Sequence, residues 1–512
     1  MARELSSSPA SAEESTDIEF ESLDIRGSIV TGIKWKIIAQ VASEASRVIV
    51  TLVLARLLSP GDYGIAGMAL VCSSFVELFA DPGLGTALVQ KRSLTEADRS
   101  TAFWANTGIG IVMTIGGILI SGYVADAFGQ PEVKNLFIVL SFNFLLGSVT
   151  ITQVALLARN LSYRQLEIRE IGATVAGAVA AIGVAVAGYG AWAIITNLLV
   201  FSVTSTALVW SMSNWRPRLM FSMNSLRQLS SFGFRVFGAR TLTWGTMNMD
   251  NVLVGRFLGA AALGAYSIAY NVMFVPMTRI ANPIAQVLSP AFARMQEDKE
   301  RLERTWLESK RISNALLAPG FLICIVVAPD LVPVAFGSKW HAVVLPLQLL
   351  SVAGLGLSLV TLHYGILMAL GKGGTLVWKT VIVAILTLSA FGAGVPFGLV
   401  GIAGFYAAAR WILVPIDTWM TTRSISIDFW STLWAGTSML PVALLSAAAS
   451  FGLRELLVAE HVPPAARLVV ATVGFVAVYA SFLRIVAPTL FKEARDVLRR
   501  RTAPAILAAN GD

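Results

Sequence analysis

The stretch LARLLSPGDYG at residues 54–64 returns as VGRFLGAAALG at residues 254–264, without a gap and at an offset of 200 residues. The identical positions include Arg56 with Arg256, Gly64 with Gly264 and, a little further on, Ala69 with Ala269. Both copies lie inside apolar segments. A repeat of this kind predicts a duplicated bundle of membrane-spanning helices, the arrangement in which many secondary transporters hold a substrate site between two halves.

The composition is typical of an all-α polytopic membrane protein. Hydrophobic residues make up 55% of the 512 residues, charged residues only 14%, and the mean hydropathy is +0.70. A soluble chain would carry about a quarter charged residues. We predict about 14 apolar spans between residues 31 and 487, each near the roughly 20 residues that cross a bilayer core. Alternation with period two is absent from the sequence, which disfavours a transmembrane β-barrel.

The predicted organisation is two six-helix lobes around a central cavity, followed by two extra helices. Six spans separate the two copies of the repeat, and an even number returns the chain to the same side, so the copies should be parallel. The predicted regions are a disordered acidic cytoplasmic tail (1–27), an N-lobe with spans 1 to 6 (28–228), a C-lobe with spans 7 to 12 (229–423), spans 13 and 14 (424–490) and a basic cytoplasmic tail (491–512).

Basic residues in the predicted loops fall mainly on one side of the membrane. The other side holds only Lys134, Lys339, Arg454 and Arg467. The positive-inside rule therefore predicts that both termini are cytoplasmic. The basic residues expected on the cytoplasmic side include Arg159, Arg164, Arg169, Lys310, Arg311, Lys372, Lys379 and Arg423. This bias accounts for the net charge of +8 without a nucleic-acid partner.

Tryptophans add to the membrane interpretation. Most of them lie near predicted span ends, among them Trp192, Trp306, Trp340 and Trp430. An interfacial aromatic belt would place them there. Trp244 is the exception, because it lies in the middle of span 7.

Ionisable side chains at bilayer depth are costly, so they usually face a cavity or a partner. Glu44 and Arg47 of span 1 are three residues apart and share a helix face. An internal ion pair and a role in transport both remain open for them. Arg240 and Asp250 of span 7 are ten residues apart and lie on different faces, so we do not expect them to pair.

Two predicted spans are interrupted at matching places in the repeat. Pro82 and Gly83 interrupt span 2, and Asn282 with Pro283 interrupts span 8. Matched breaks in two halves point to a transport site and its hinges, since broken helices expose backbone groups. Beside the breaks lie Glu77 in span 2 and Arg279 in span 8. Their opposite charges at similar depth predict a gate or latch between the lobes.

Arg56 and Arg256, which define the repeat, lie at the predicted periplasmic ends of spans 1 and 7. Arginine in such a position snorkels or caps helix carbonyls. We therefore predict a structural role for both.

Four segments carry a resemblance to a known family. They are LLSPGDYG (57–64), FADPGLGTALVQKRSLTEADRSTAFW (79–104), LGAYSIAYNVMFVPMTRIANPIAQVLSPAFARMQEDKERL (263–302) and AFGSKWHAVVLPLQLLSVAG (335–354). These closely resemble the polysaccharide-transporter, or Wzx-type, flippases of the MOP superfamily. The resemblance implies a bacterial inner-membrane protein that moves undecaprenyl-pyrophosphate-linked oligosaccharides between leaflets by alternating access. Its implied partners are that substrate, membrane lipids and the polymerase and chain-length machinery of the pathway.

A pyrophosphate headgroup would need arginine, because guanidinium stays charged and binds anionic oxygens bidentately. The candidate substrate-binding residues are Arg47, Arg240, Arg279 and Trp244. Candidates for coupling an ion, H+ or Na+, or for gating are Glu44, Glu77 and Asp250, and the candidate hinge residues are Pro82, Gly83 and Pro283.

Two other activities are alternatives to this one. A drug/cation antiporter of the same superfamily is the more serious alternative, and an integral-membrane polysaccharide polymerase or ligase is the other. Such an enzyme would need a sizeable catalytic loop. The three histidines, His341, His363 and His461, are scattered without metal-ligand spacing. We therefore expect no enzyme activity, no metal and no cofactor.

Overall fold

The computed structural model describes residues 43–486 and 488, except residues 45, 81, 82, 92, 231 and 232; the side chains of residue 80 and of residues 229–240 also lie outside the description. Both predicted tails, 1–27 and 491–512, fall outside it. The first half contains α1 (46–57), α2 (Pro60–Ala80), α3 (Leu84–Gln90), α4 (Glu96–Phe128), α5 (Glu132–Arg159), α6 (Tyr163–Val186), α7 (Trp192–Met212) and α8 (Met223–Ser230).

The second half continues with helices of the same kind. They are α9 (Gly233–Leu258), α10 (Ala260–Pro276), a π-helical turn (Met277–Ala281), α11 (Asn282–Arg294), α12 (Lys299–Ala335), a 3₁₀ turn (Ser338–Val343), α13 (Val344–Val360), α14 (His363–Ala369), α15 (Gly373–Gly394), a 3₁₀ turn (Val395–Phe397), α16 (Gly398–Ile425), α17 (Phe429–Thr437), α18 (Leu440–Ala459) and α19 (Pro464–Val486). We call α1–α7 the N half and α9–α16 the C half.

Within the described residues, 11 helical segments are long and apolar enough to cross a membrane. One of them, Gly373–Ile425, joins α15 and α16, which were predicted as separate spans. Helices α1 and α9 are not among the 11. The all-α polytopic fold is confirmed, and the count of 14 spans stays a prediction.

The two halves meet where the sequence repeats itself. A Cβ atom added to Gly64 would lie 1.7 Å from the carbonyl oxygen of Ala260, and one added to Gly264 would lie 2.0 Å from that of Pro60. Pro60 and Ala260 are themselves equivalent positions of the repeat. The contact is thus reciprocal, as in an interface around a twofold axis. Only glycine lets the backbones of α2 and α10 approach this closely.

Small residues also control packing within the N half. A Cβ atom on Gly177 of α6 would lie 2.7 Å from the carbonyl oxygen of Asn197 of α7. Ala173 and Ala181, four residues to either side, are fully buried. These residues therefore form a face on which two helices pack closely.

The two predicted helix breaks differ in form. In the N half, α2 ends at Ala80 and α3 begins after Gly83, which adopts the left-handed conformation with φ 81°. In the C half the helix runs on through the π-helical turn Met277–Ala281, and Pro283 lies in the first turn of α11. Proline cannot donate a backbone hydrogen bond, and the widened turn lies directly before it. The sequence predicted an interruption at Pro283, whereas the structure has a π-helical turn there and the helix is continuous.

Four side chains assigned to loops or membrane interfaces are instead buried. Lys310 and Lys379, expected in the cytoplasmic loops, lie inside α12 and α15. Trp306 and Trp340, expected in the interfacial belt, are fully buried and donate hydrogen bonds to Thr432 and to the carbonyl of Ala55. These expectations were wrong because hydropathy alone does not show which polar groups find partners between helices.

The last helices are attached to the C half through one buried carboxylate. Asp330 of α12 is fully buried and forms ion pairs with Arg454 at 2.5 Å and Arg467 at 2.7 Å. These arginines belong to α18 and α19. The Tyr479 hydroxyl also donates to the carbonyl of Ala315 at 2.7 Å. Helices α18 and α19 therefore pack against α12, outside the repeated part of the chain.

Candidate functional site

A cavity of about 1140 Å³ lies between the halves, lined mainly by the N half and completed by α9 and α10. Its wall is rich in side-chain amides and hydroxyls. The amides are those of Asn143, Asn197, Asn248, Asn251 and Asn271. Polar side chains within membrane-spanning helices are costly unless they bind a ligand or one another. The wall can therefore accept a polar, hydrogen-bonding molecule.

Two of these amides keep unused hydrogen-bonding capacity. The side-chain oxygens of Asn143 and Asn251 are buried and have no hydrogen-bond partner within the described residues. Most buried polar atoms are paired, so such exceptions call for an explanation. Both residues line the cavity. Because each oxygen has almost no accessible surface, a ligand hydroxyl reaches it only when the side chain turns toward the cavity.

Two charged residues, Arg47 and Glu77, line the cavity. Trp244 lies beside the wall, where its indole nitrogen donates to the Ser74 hydroxyl at 3.0 Å and its ring packs on Phe75 at 4.8 Å. Ser74 itself lines the cavity. Trp244 thus connects α9 of the C half to α2 of the N half.

The predicted partner of Arg279 was wrong. Arg279, in the π-helical turn of the C half, forms an ion pair with Glu44 of the N half and not with Glu77. Glu44 lies 3.6 Å from Arg47, which also pairs with Glu170 of α6 at 3.2 Å. The structure therefore contains the Glu44–Arg47 pair, one of the two alternatives left open by the sequence, within a larger network that joins the halves. We call Glu44, Arg47, Glu170 and Arg279 the interhalf charge cluster.

The other predicted residues fall elsewhere. Asp250 is buried and accepts a hydrogen bond from the Tyr266 hydroxyl at 2.9 Å, apart from the cavity lining. The side chain of Arg240 and the whole of Pro82 lie outside the described residues. Gly83 and Pro283 are in the backbone positions described above.

A further contact between the halves lies at the C-terminal end of α1. Arg56 donates to the carbonyls of Val334 and Ala335 at the end of α12, at 2.5 and 3.3 Å. In return, Lys339 donates to the Arg56 carbonyl at 2.9 Å, and Trp340 donates to the Ala55 carbonyl at 2.7 Å. Each half thus caps a helix end of the other. We call Arg56, Lys339 and Trp340 the α1-end latch.

This geometry predicts that Arg56 and Arg256 are not equivalent. Arg56→Met removes two hydrogen bonds to helix carbonyls and should lower the free energy of unfolding by about 1 to 2 kcal/mol. Arg256 is exposed at the end of α9, so Arg256→Met should change it by less than about 0.5 kcal/mol. Thermal unfolding of the purified protein in detergent measures both. Equal losses for the two variants would contradict the assignment.

The sequence predicted a structural, carbonyl-capping role for Arg56, which the structure shows, but not the amide-rich wall or the partners of Arg56 in the α1-end latch. The amides carried a usable signal, because several asparagines lie inside apolar spans on both sides of the repeat. The partners in the latch carried none, since Lys339 and Trp340 are about 280 residues along the chain from the residues that they contact.

The chain matches known sequences over most of its length. A family model described as polysaccharide biosynthesis protein matches residues 53–345. The chain is 26% identical to the succinoglycan biosynthesis transport protein ExoT of Rhizobium meliloti (strain 1021) over 482 residues, covering 93% of this chain and 97% of ExoT. It is 29% identical to the lipopolysaccharide biosynthesis protein WzxC of Escherichia coli (strain K12) over 335 residues, covering 65% and 68% of the two chains.

The fold is also similar to that of a solved structure, the lipid II flippase MurJ in an inward closed conformation. The TM-score is 0.69 at 15% sequence identity, and the match covers 89% of this chain and 99% of that one. At this identity the likeness concerns the fold.

Proposed function

The chain belongs to the polysaccharide biosynthesis protein family, and from this premise we propose that it is a Wzx-type flippase. It moves oligosaccharide units linked to undecaprenyl pyrophosphate across the bacterial inner membrane, for the synthesis of a surface polysaccharide. The observation that carries the proposal is the amide- and hydroxyl-lined cavity between the halves, with arginine at its edge. This wall suits a sugar chain, while arginine suits a pyrophosphate.

The two parts of the substrate, its sugar chain and its pyrophosphate, bind at different places in the site. The oligosaccharide occupies the cavity, where the side chains of Asn143 and Asn251 turn so that their unpaired oxygens accept hydrogen bonds from sugar hydroxyls. The pyrophosphate binds Arg47, which is more than half exposed and already held in place by Glu44 and Glu170. Arg240 is a further candidate from the sequence. Arg279 forms an ion pair with Glu44 of the other half, and we assign it to the gate. This role replaces the direct contact with the substrate that the sequence predicted for it.

Alternating access requires that contacts at the two ends of the bundle open in turn. The α1-end latch and the Glu44–Arg279 pair join the halves at different positions along α1. With the N-terminus cytoplasmic, as the loop charges predict, the latch lies on the periplasmic side. Release of the latch opens the cavity outward, and release of the Glu44–Arg279 pair opens it inward. Glu77, in the wall, is the remaining candidate for coupling an ion.

The amide wall gives the direct test. Asn143→Ala and Asn251→Ala each remove a buried acceptor and should reduce transport about tenfold, equivalent to about 1.4 kcal/mol of lost binding. The assay follows a fluorescent lipid-linked oligosaccharide across the membrane of proteoliposomes. Asn160→Ala, an exposed amide after the end of α5, is the matched control and should remain active.

Two results would overturn the proposal. Normal transport by both cavity variants would show that the wall does not bind the sugar. Transport of a fluorescent organic cation, with no movement of lipid-linked oligosaccharide by the wild-type protein, would instead assign the chain to drug/cation antiport.

A further inference from the structure

The C half holds a second group of ionisable side chains, none of which lines the cavity between the halves. The group consists of Lys310 of α12, His363 of α14, Lys379 of α15 and Asp417 of α16, and each is at most 8% exposed. From the sequence, both lysines are expected on the cytoplasmic side, and no role is predicted for His363. Four helices thus bring buried charges together at one point, where isolated charges would be costly.

The contacts within the group determine where the histidine carries its proton. Lys310 Nζ lies 3.1 Å from His363 Nε2 and also donates to the carbonyl of Leu359. An ammonium group can only donate, so Nε2 must accept and the ring proton must lie on Nδ1. His363 Nδ1 then donates to Asp417 Oδ1, which also pairs with Lys379 at 2.8 Å. The hydrogen bonds form one continuous path from Lys310 to Asp417.

The group contains one excess positive charge. Among the described residues, the charged groups that His363 and its partner Asp417 contact are Lys310 and Lys379, so the group holds two ammonium groups and one carboxylate. Helix α17, where a Cβ atom added to Gly436 would lie 3.4 Å from Lys310 Cε, has no charged residue. Helix α13 has none either, and α11 carries only Arg294, in its last turn. An unbalanced buried charge is costly, and loss of one proton removes the imbalance. Lys310 is the group that loses it: the ammonium becomes a neutral amine and its proton passes to water, while His363 keeps its proton on Nδ1 and Asp417 stays ionised beside Lys379, so that the group becomes neutral.

We propose that Lys310, His363, Lys379 and Asp417 form a proton-binding site of the C half that holds one exchangeable proton. The proposal rests on the transport function proposed above and makes the coupling ion H+. Because the four side chains come from four helices, protonation changes how strongly α12 and α14 are held to α15 and α16. The site is separate from the cavity, so the proton and the lipid-linked sugar occupy different places in the protein.

The first test needs no substrate. The chain has only three histidines, so wild-type protein in liposomes, with ¹⁵N-labelled histidine, gives few ring signals. His341→Gln and His461→Gln, both at positions outside the group, assign the signal of His363. We expect an Nδ1–H ring whose ¹⁵N shifts change between about pH 5 and 9, and a loss of that change in Lys310→Gln. An Nε2–H ring, or shifts independent of pH, would overturn the proposal.

The second test separates coupling from transport. If one proton moves per substrate, a gradient of one pH unit should support about tenfold accumulation of lipid-linked oligosaccharide in wild-type proteoliposomes. Lys310→Gln and His363→Gln should lose this response but keep exchange without a gradient. Arg454→Gln, which breaks a buried ion pair with Asp330 near the other end of α12, should keep it.

The outcomes distinguish the two proposals. If wild-type protein moves the substrate but ignores the pH gradient, or if both variants respond to it normally, the proton site is wrong and the flippase function stands. If wild-type protein moves no lipid-linked oligosaccharide, the flippase function is wrong, and the histidine signals decide the proton site independently.

Discussion

Replacing Gly64 or Gly264 by alanine should destabilise the protein by about 3 kcal/mol or more, the largest stability effect that we expect from a single methyl group. The added Cβ atoms would lie 1.7 and 2.0 Å from carbonyl oxygens of the facing helix. Backbone atoms on both sides of the contact leave no flexible side chain that could move away. The clash can be relieved only by separating α2 from α10, which disrupts the junction of the two halves.

The measurement is the thermal unfolding of purified variants in detergent, together with the yield of monodisperse protein. Gly116→Ala is the matched control, because Gly116 lies in α4 with no atom within 4 Å of the added Cβ. Alanine there should be neutral or stabilising by up to about 1 kcal/mol, since it is the better helix former. Stability close to that of the wild type in Gly64→Ala and Gly264→Ala would show that the reciprocal contact is not the junction between the halves.

Reversing the charge of Arg279 should cause the largest loss of transport. In Arg279→Glu a carboxylate would face Glu44, so the contact between the halves becomes repulsive. We expect transport to fall at least about tenfold, or 1.4 kcal/mol, while the protein still folds because both side chains are partly exposed. Combining it with Glu44→Arg restores the pair in reverse and should recover part of the activity. The recovery is partial because Arg47 lies close to position 44.

The double variant separates a gate from a substrate contact. A gate needs only opposite charges on the two halves, whereas a pyrophosphate needs a cation at position 279 itself. If the double variant is as inactive as Arg279→Glu, Arg279 binds substrate as first expected from the sequence. Arg227→Glu, a charge reversal on exposed α8, controls for the change in net charge and should transport normally. Polymer production in a strain that lacks the native protein, with variant levels matched, is the readout.

Much of the fold could be predicted because a membrane restricts the composition and the length of the helices that cross it. Each span must be apolar and about 20 residues long, so composition and hydropathy are enough to predict an all-α bundle. The same limit makes a charge such as Arg47 conspicuous, and Arg47 does line the cavity. The repeat is recognisable in the sequence at positions such as Gly64 and Gly264, because the helices pack so closely there that only glycine fits.

The pairing of charges could not be predicted in the same way. Opposite charges at similar depth suggested that Arg279 faces Glu77, whereas Arg279 reaches Glu44. Depth along the membrane follows from the position of a residue within its span, but the direction in which a side chain points depends on the rotation of each helix. A difference of one residue turns a side chain by about 100°.

The sequence alone determined that this chain is a duplicated, all-α membrane protein of a polysaccharide-transporting family, because those properties depend on composition, on the repeat and on local motifs. The tertiary structure alone decided which polar groups meet: the amide wall of the cavity, the α1-end latch, the Glu44–Arg279 pair and the buried group around His363. The physical reason is that a polar side chain inside a bilayer needs a partner. In the groups just named the partners come from helices far apart in the chain, so only the packing of the helices reveals them.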